Sequence, residues 1–139
     1  MRVRGCAVVF AVLVALTVAL PSIAQQPWDS VKLKWTAPGD DGTVGRASQY
    51  DLRYATFAIT AANFATATRY TTITIPSVAG VTDSCTVTGL TPSTTYWFAI
   101  KTADEVPNWA TVSNIVTTTL PAAPDVSPPA AVTDFRVSP

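Results

Sequence analysis

The sequence predicts an all-β domain, an antiparallel sandwich of short strands. Three observations predict it. Short stretches alternate apolar and polar residues with period two, the mark of a strand buried on one face. Clusters of Pro, Gly, Asp and Asn separate those stretches at turn spacing. No long segment of helical period competes with them.

The first clear strand is Val31-Lys32-Leu33-Lys34-Trp35. Val31, Leu33 and Trp35 share one face, and Lys32 and Lys34 share the other. Ala37 to Gly42 then supplies dense turn chemistry. Tyr50-Asp51-Leu52-Arg53-Tyr54 alternates again, with Tyr50, Leu52 and Tyr54 inward. Thr60 to Ala65 reads as a helical turn capped by Thr60, with Phe64 tucked against the sandwich. Thr71 to Ile75 is rich in β-branched residues and reads as a short strand ended by Pro76.

The second half alternates more strongly. Cys85, Val87 and Leu90 point to one side. In Thr95 to Thr102, Tyr96, Phe98 and Ile100 point inward, and Trp97, Ala99 and Lys101 outward. Ala103 to Thr111 is a polar loop, and Ser113 to Thr119 a last β-branched strand. About a dozen large apolar side chains face inward, each contributing roughly 1.5–3 kcal/mol on burial. That is enough for a domain of this size to fold without disulfides or metal.

The 139 residues suffice for one domain and not for two. Apolar types make up 48% and charged types 13%, which excludes a charge-solvated disordered chain. The N-terminus reads as an export leader over residues 1–24. Arg2 and Arg4 precede the apolar run Cys6–Leu20, Pro21 breaks it, and Ser22-Ile23-Ala24 offers a cleavage site. The run is shorter than the roughly 20 residues that span a bilayer, so no membrane insertion is expected after cleavage. Without the leader, 7 basic residues face 9 acidic ones, and no basic cluster remains to attract nucleic acid. Cys6 leaves with the leader. Cys85 then stands alone, and its inward position suits a small core hydrophobe.

Taken together, Leu33-Lys34-Trp35-Thr36-Ala37-Pro38, Tyr50-Asp51-Leu52-Arg53-Tyr54, Gly89-Leu90-Thr91-Pro92 and Thr95-Tyr96-Trp97-Phe98 resemble a fibronectin type III domain over residues 31–119. The resemblance implies an immunoglobulin-like β-sandwich. It places Trp35 on the core tryptophan of strand B, and Leu90 and Tyr96 on the tyrosine-corner arrangement of such sandwiches. The run from Lys101 through Asn114 is similar to F–G loops of secreted bacterial versions. The usual first strand, A, has no room between Ala24 and Val31. Residues 120–130 form a Pro-rich linker. Residues 131–139 resemble the opening strand of a further repeat. Two readings stand side by side: a piece of a longer multi-domain protein, or a C-terminal strand that fills the vacant strand-A position of its own sandwich or a neighbour's. The linker can reach roughly 33 Å when extended, so an internal return is sterically possible.

The catalytic inventory is thin. The sequence has no His, which removes the usual general base and the Ser-His and Cys-His pairs. No Cys or His cluster suits zinc, and no Gly-rich phosphate loop is present. Asp40-Asp41 and Asp104-Glu105 read as solvated turn formers. Asp40-Asp41-Gly42 lacks the further oxygen ligands of a calcium loop. No cofactor is expected, and the chain is read as a non-enzyme.

Binding is the remaining function. Trp28, Trp97 and Trp109 are not needed for the inward pattern, and an exposed Trp can stack on a sugar or anchor a protein. Asp40, Asp41, Arg46, Trp97, Asn108 and Trp109 are the candidate binding residues, in or beside the loops 40–48 and 104–111. The expected function is an exported spacer or adhesion module acting on a protein or polysaccharide at the cell surface. A carbohydrate-binding module and a strand-exchanging assembly subunit are the alternatives.

Overall fold

The computed structural model describes residues 27–138. The stretch read as an export leader, residues 1–24, lies outside the described residues. Among the described residues six strands follow in order: β1 (Ser30–Thr36), β2 (Gln49–Ala55), β3 (Thr68–Tyr70), β4 (Thr82–Thr88), β5 (Thr95–Ala103) and β6 (Val116–Thr119). A 3-10 turn at Phe64–Thr66 precedes β3. The strands form two antiparallel sheets. One pairs β1 with β4; the other runs β3-β2-β5-β6.

The period-two pattern explains how the sheets face each other. In β1–β4, Val31 pairs with Val87 and Leu33 with Cys85. In β2–β5, Leu52 pairs with Ile100 and Tyr54 with Phe98. These side chains meet in one layer, where Leu52, Cys85, Val87, Leu90, Tyr96, Phe98 and Leu120 are buried. Trp35, Tyr54 and Ile100 pack against that layer while half-buried. Trp35 meets Tyr50 edge-on at 5.2 Å and 89°. Tyr54, Tyr96 and Phe98 form a ring triangle with centroids 6.0–6.4 Å apart. Burial pushes the Cys85 thiol up, as for a core residue rather than a reactive one.

Tyr96 ties the turn before β5 to the core, because its Oη accepts the Thr91 backbone N–H at 3.0 Å. Gly89 takes a φ of 74° at that turn, a conformation that glycine adopts without strain. Tyr96→Phe removes the hydrogen bond and keeps the ring. Its expected cost is about 1 kcal/mol in a urea melt, with an unchanged m-value.

Four sequence expectations change. The chain at Thr71–Ile75 is not a strand; pairing with β2 occurs earlier, at Thr68–Tyr70. Residues 71–75 cross from one sheet to the other, with Ile73 on the core and Ile75 exposed. β-branched residues favour extended backbone, but that alone does not make a ladder. The last strand starts at Val116 rather than Ser113. The Ser113 Oγ accepts the Ile100 N–H at 3.1 Å and so replaces a backbone acceptor there. Leu120 belongs to the sandwich rather than the linker, since it is buried and its N–H donates to Thr94 O at 3.0 Å. Finally, the C-terminal segment does not return to its own sandwich as a strand: residues 121–138 are exposed and form no strand.

The outward face of β2–β5 is also covered. Residues 57–67 wrap over it, and Ala55, Ile59, Phe64, Ala67 and Ala99 form a second buried cluster. Thr60 and Asn63 cap the turn reciprocally: Thr60 N–H donates to Asn63 Oδ1 at 2.6 Å, and Asn63 N–H to Thr60 Oγ1 at 3.3 Å. Arg53 fastens the wrap from below. Its Nη1 donates to Ala65 O at 2.7 Å, its guanidinium stacks 5.1 Å from the Phe64 ring centroid, and Asp51 pairs with it at 3.0 Å.

Candidate functional site

Two loops meet at one pole of the sandwich. One joins β1 to β2 over residues 37–48; the other joins β5 to β6 over residues 104–115. Between them lies an open cleft of about 320 Å³ lined by Pro38, Asp40, Ala47, Thr102, Asp104, Asn108 and Trp109, among others.

The first loop is tightly wound. Gly39 N–H donates to Gly42 O at 2.9 Å, and Asp40 N–H to Val44 O at 2.8 Å. A side chain at Gly39 would collide with the backbone of Val44, so only glycine permits this close approach. The winding turns Asp40 toward the second loop and leaves Asp41 exposed.

Asp104 organises the second loop. Its Oδ1 accepts the backbone N–H groups of Val106 and Asn108 at 3.0 and 2.8 Å, and its Oδ2 accepts Asn108 Nδ2–H at 2.7 Å. These bonds from Asn108 and Val106 hold the Asp104 carboxyl below its usual range. The chain then returns to the sheet, with Trp109 bridged to Ala103 and Ala110 N–H on Thr102 O at 2.8 Å. Trp109 is 41% exposed, with Lys101 Nζ 5.9 Å from its ring centroid.

The charge at this pole is negative. Burial, and after it the carboxylates of Glu105, Asp41 and Asp104, push the Asp40 carboxyl up. An aromatic plate beside carboxylate acceptors can stack on a sugar ring and accept its hydroxyls, or receive a basic side chain of a protein. Among the described residues, no group of three Asp, Glu, Cys or His side chains is placed to hold a metal ion.

The candidate residues read from the sequence separate here. Asp40, Asn108 and Trp109 come together in the cleft. Asp41 contributes charge from the rim. Arg46 turns away, and its Nε donates to Pro76 O. Trp97 packs half-buried against the outer cluster of Phe64 and Ala99, so its ring serves that cluster. Asp104 was read only as a turn former. An Asp with Asn four residues on, between a strand and a Pro-containing loop, is the local signal for its bracing role.

Two sheets, a ring layer and a Tyr96–Thr91 corner define the architecture. The family model for the fibronectin type III domain matches residues 18–119. The chain belongs to the fibronectin type III family. The match begins at Val18, which overlaps the end of the stretch read as a leader. Fibronectin type III domains act generally as non-catalytic binding or spacer modules and are commonly extracellular. Among the described residues, no helix is long and apolar enough to cross a membrane. No curated protein matches the chain.

Proposed function

We propose that this fibronectin type III domain is an exported, non-catalytic module that holds a cell-surface partner at the pole formed by its two loops. The observation that carries the reading is the cleft itself. Two loops some sixty residues apart in sequence converge on one concavity with Trp109 exposed at its wall. A rigid sandwich below fixes that concavity, which lowers the ordering cost of binding. The partner class favoured first is a protein with a basic segment, because Asp40, Asp41, Asp104 and Glu105 make the pole acidic. Polysaccharide is the second reading, carried by the Trp109 plate beside Asp40 and Asn108.

Export is tested by the mass of the protein recovered outside the cytoplasm. An N-terminus at Gln25 is the expected result; a product retaining Met1 counts against export with a cleaved leader.

Binding is tested on immobilised cell-envelope fractions. Trp109→Ala is expected to lower retention at least tenfold, about 1.4 kcal/mol or more, with thermal stability nearly unchanged because the ring is exposed. Retention lost after protease treatment of the envelope identifies a protein partner, and retention lost after periodate oxidation a polysaccharide. Equal retention of wild type and Trp109→Ala removes the cleft from the account.

A further inference from the structure

The outward face of β5 carries a row of side chains that joins the wrap of residues 57–67 to the cleft. Trp97, Ala99, Lys101 and Ala103 follow one another there with period two. At Ala99 the row meets the wrap, through Phe64. At Ala103 it meets the cleft, because Trp109 is bridged to Ala103. Lys101 stands between the two. It is the next residue along the face from Ala103, which makes it the diagonal neighbour of Trp109.

In the β2–β5 ladder Lys101 lies directly opposite Asp51, a position where two opposite charges ordinarily pair. The Asp51 carboxylate is taken by others. Arg53 Nη2 reaches its Oδ2 at 3.0 Å, and Arg69 Nε its Oδ1 at 3.3 Å. The Lys101 ammonium goes to aromatic rings instead. Its Nζ lies over the Phe64 ring at 5.8 Å from the centroid and over the Trp109 ring at 5.9 Å. Both distances fall within the reach of about 6 Å over which a ring attracts a cation. Phe64 is a firm support for it. That ring is buried in the outer cluster, and the Arg53 guanidinium stacks 5.1 Å from its centroid.

Trp109 lines the cleft and Lys101 does not, so the ammonium backs the indole from outside the concavity. The bridge to Ala103 fixes where Trp109 leaves the loop. How its ring turns about χ1 is set by side-chain contacts. We infer that Lys101 is a positioning residue of the cleft: braced on Phe64, its ammonium holds the Trp109 ring in the orientation that walls the concavity. A ring held before binding has less freedom to lose on binding. The inference rests on the reading of this cleft as a binding site. It adds that the site is set from the wrap, through a residue outside its lining.

Three-bond NMR couplings across the Trp109 Cα–Cβ bond report χ1 without any ligand. Wild type is expected to show one rotamer. Lys101→Met keeps the stem and removes the charge, and its couplings are expected to average over several rotamers. Phe64→Leu, which removes the supporting ring, is expected to average them as well. Lys32→Met, on the other sheet, is expected to leave them as in wild type. On immobilised cell-envelope fractions, Lys101→Met is expected to lower retention about threefold or more with a nearly unchanged melting temperature, and Lys101→Arg to restore it. Added to Trp109→Ala, Lys101→Met should bring no further loss, because the two residues act as one unit. Averaged couplings in wild type overturn the proposal, and so does a single rotamer that persists in Lys101→Met or in Phe64→Leu. Wild-type retention by Lys101→Met, where Trp109→Ala loses it, overturns it too. A further loss on top of Trp109→Ala does the same, since Lys101 would then meet the partner itself. Equal retention of wild type and Trp109→Ala removes the binding reading alone, and the couplings still decide whether Lys101 holds the ring.

Discussion

Phe98→Ala is expected to destabilise the domain by about 3–5 kcal/mol, the range for emptying a buried aromatic site. Phe98 is 1% exposed and stands at the centre of the ring layer, against Tyr54 and Tyr96. Its neighbours come from both sheets and are held by their ladders, so the hole left behind cannot collapse easily. A domain of this size has a total stability of only about 5–15 kcal/mol, so the loss is a large share of it. The midpoint of a thermal melt should drop by more than about 12 °C. Phe98→Leu, which keeps most of the volume, should cost clearly less. A loss below about 1 kcal/mol for Phe98→Ala would mean that the two sheets do not share a core.

Asp83→Ala should have the second-largest effect, about 2–3 kcal/mol, because it leaves two donors without their acceptor. The buried Asp83 carboxylate joins the sheets. Its Oδ2 accepts the Tyr50 hydroxyl at 2.8 Å and the Ser77 backbone N–H at 3.0 Å. Burial by itself pushes the Asp83 carboxyl up. Hydrogen bonds from Ser77 and Tyr50, with the positive charge of Arg46, outweigh it and hold the group below its usual range. A lowered folded pKa gives a definite sign. The stabilisation is complete above the unfolded value of about 3.9 and disappears as pH falls through the folded value. Tyr50 behaves in the opposite sense at the alkaline end. Burial first, then its bond to Asp83, push its hydroxyl up to about 12. That contribution is complete below the unfolded value of about 10 and is lost as pH rises toward 12. Urea midpoints of wild type and Asp83→Ala, followed from pH 2 to pH 11, should therefore differ most near neutrality, with the gap narrowing as pH falls into the acid range and beginning to narrow above pH 10. A gap that stays constant into acid would show that the carboxylate charge contributes nothing.

Much of the sandwich was legible in the chain because alternation reports directly on burial. In β1 the apolar face packs inward and the lysine face is exposed, and in β2 and β5 large apolar residues recur at every second position, so Leu33, Leu52, Tyr96 and Phe98 announce the core face locally. Where a second contact intervened, the pattern misled. The β-branched run at Thr71–Ile75 promised a strand, yet it crosses between sheets with Ile75 in solvent. Trp97 and Ala99 were read as outward, and they are; the wrap of residues 57–67 that covers them has no periodicity to betray it.

The cleft was half legible for a similar reason. Each loop showed its turn chemistry in sequence, and Trp109 stood out as an aromatic with no place in the core. The meeting of Asp40 with Asp104 and Trp109 is a property of topology, since their loops join different strand pairs. Arg46 and Asp83 illustrate the limit. One was read as a binding residue and instead reaches Pro76 O, and the other was passed over within a β4 pattern although it bridges the sheets.

The central claim is that the β1–β4 pair and the four-stranded sheet close on one shared core and thereby hold the Trp109 cleft rigid. Native-state hydrogen exchange tests it most directly. The account predicts that the most protected amides of β4 and β5, around Val87 and Phe98, exchange only through global unfolding and with the same free energy, while residues 121–138 exchange freely. Amides of β4 that open at a much lower free energy than those of β5 would contradict it, because the two sheets would then be separate units.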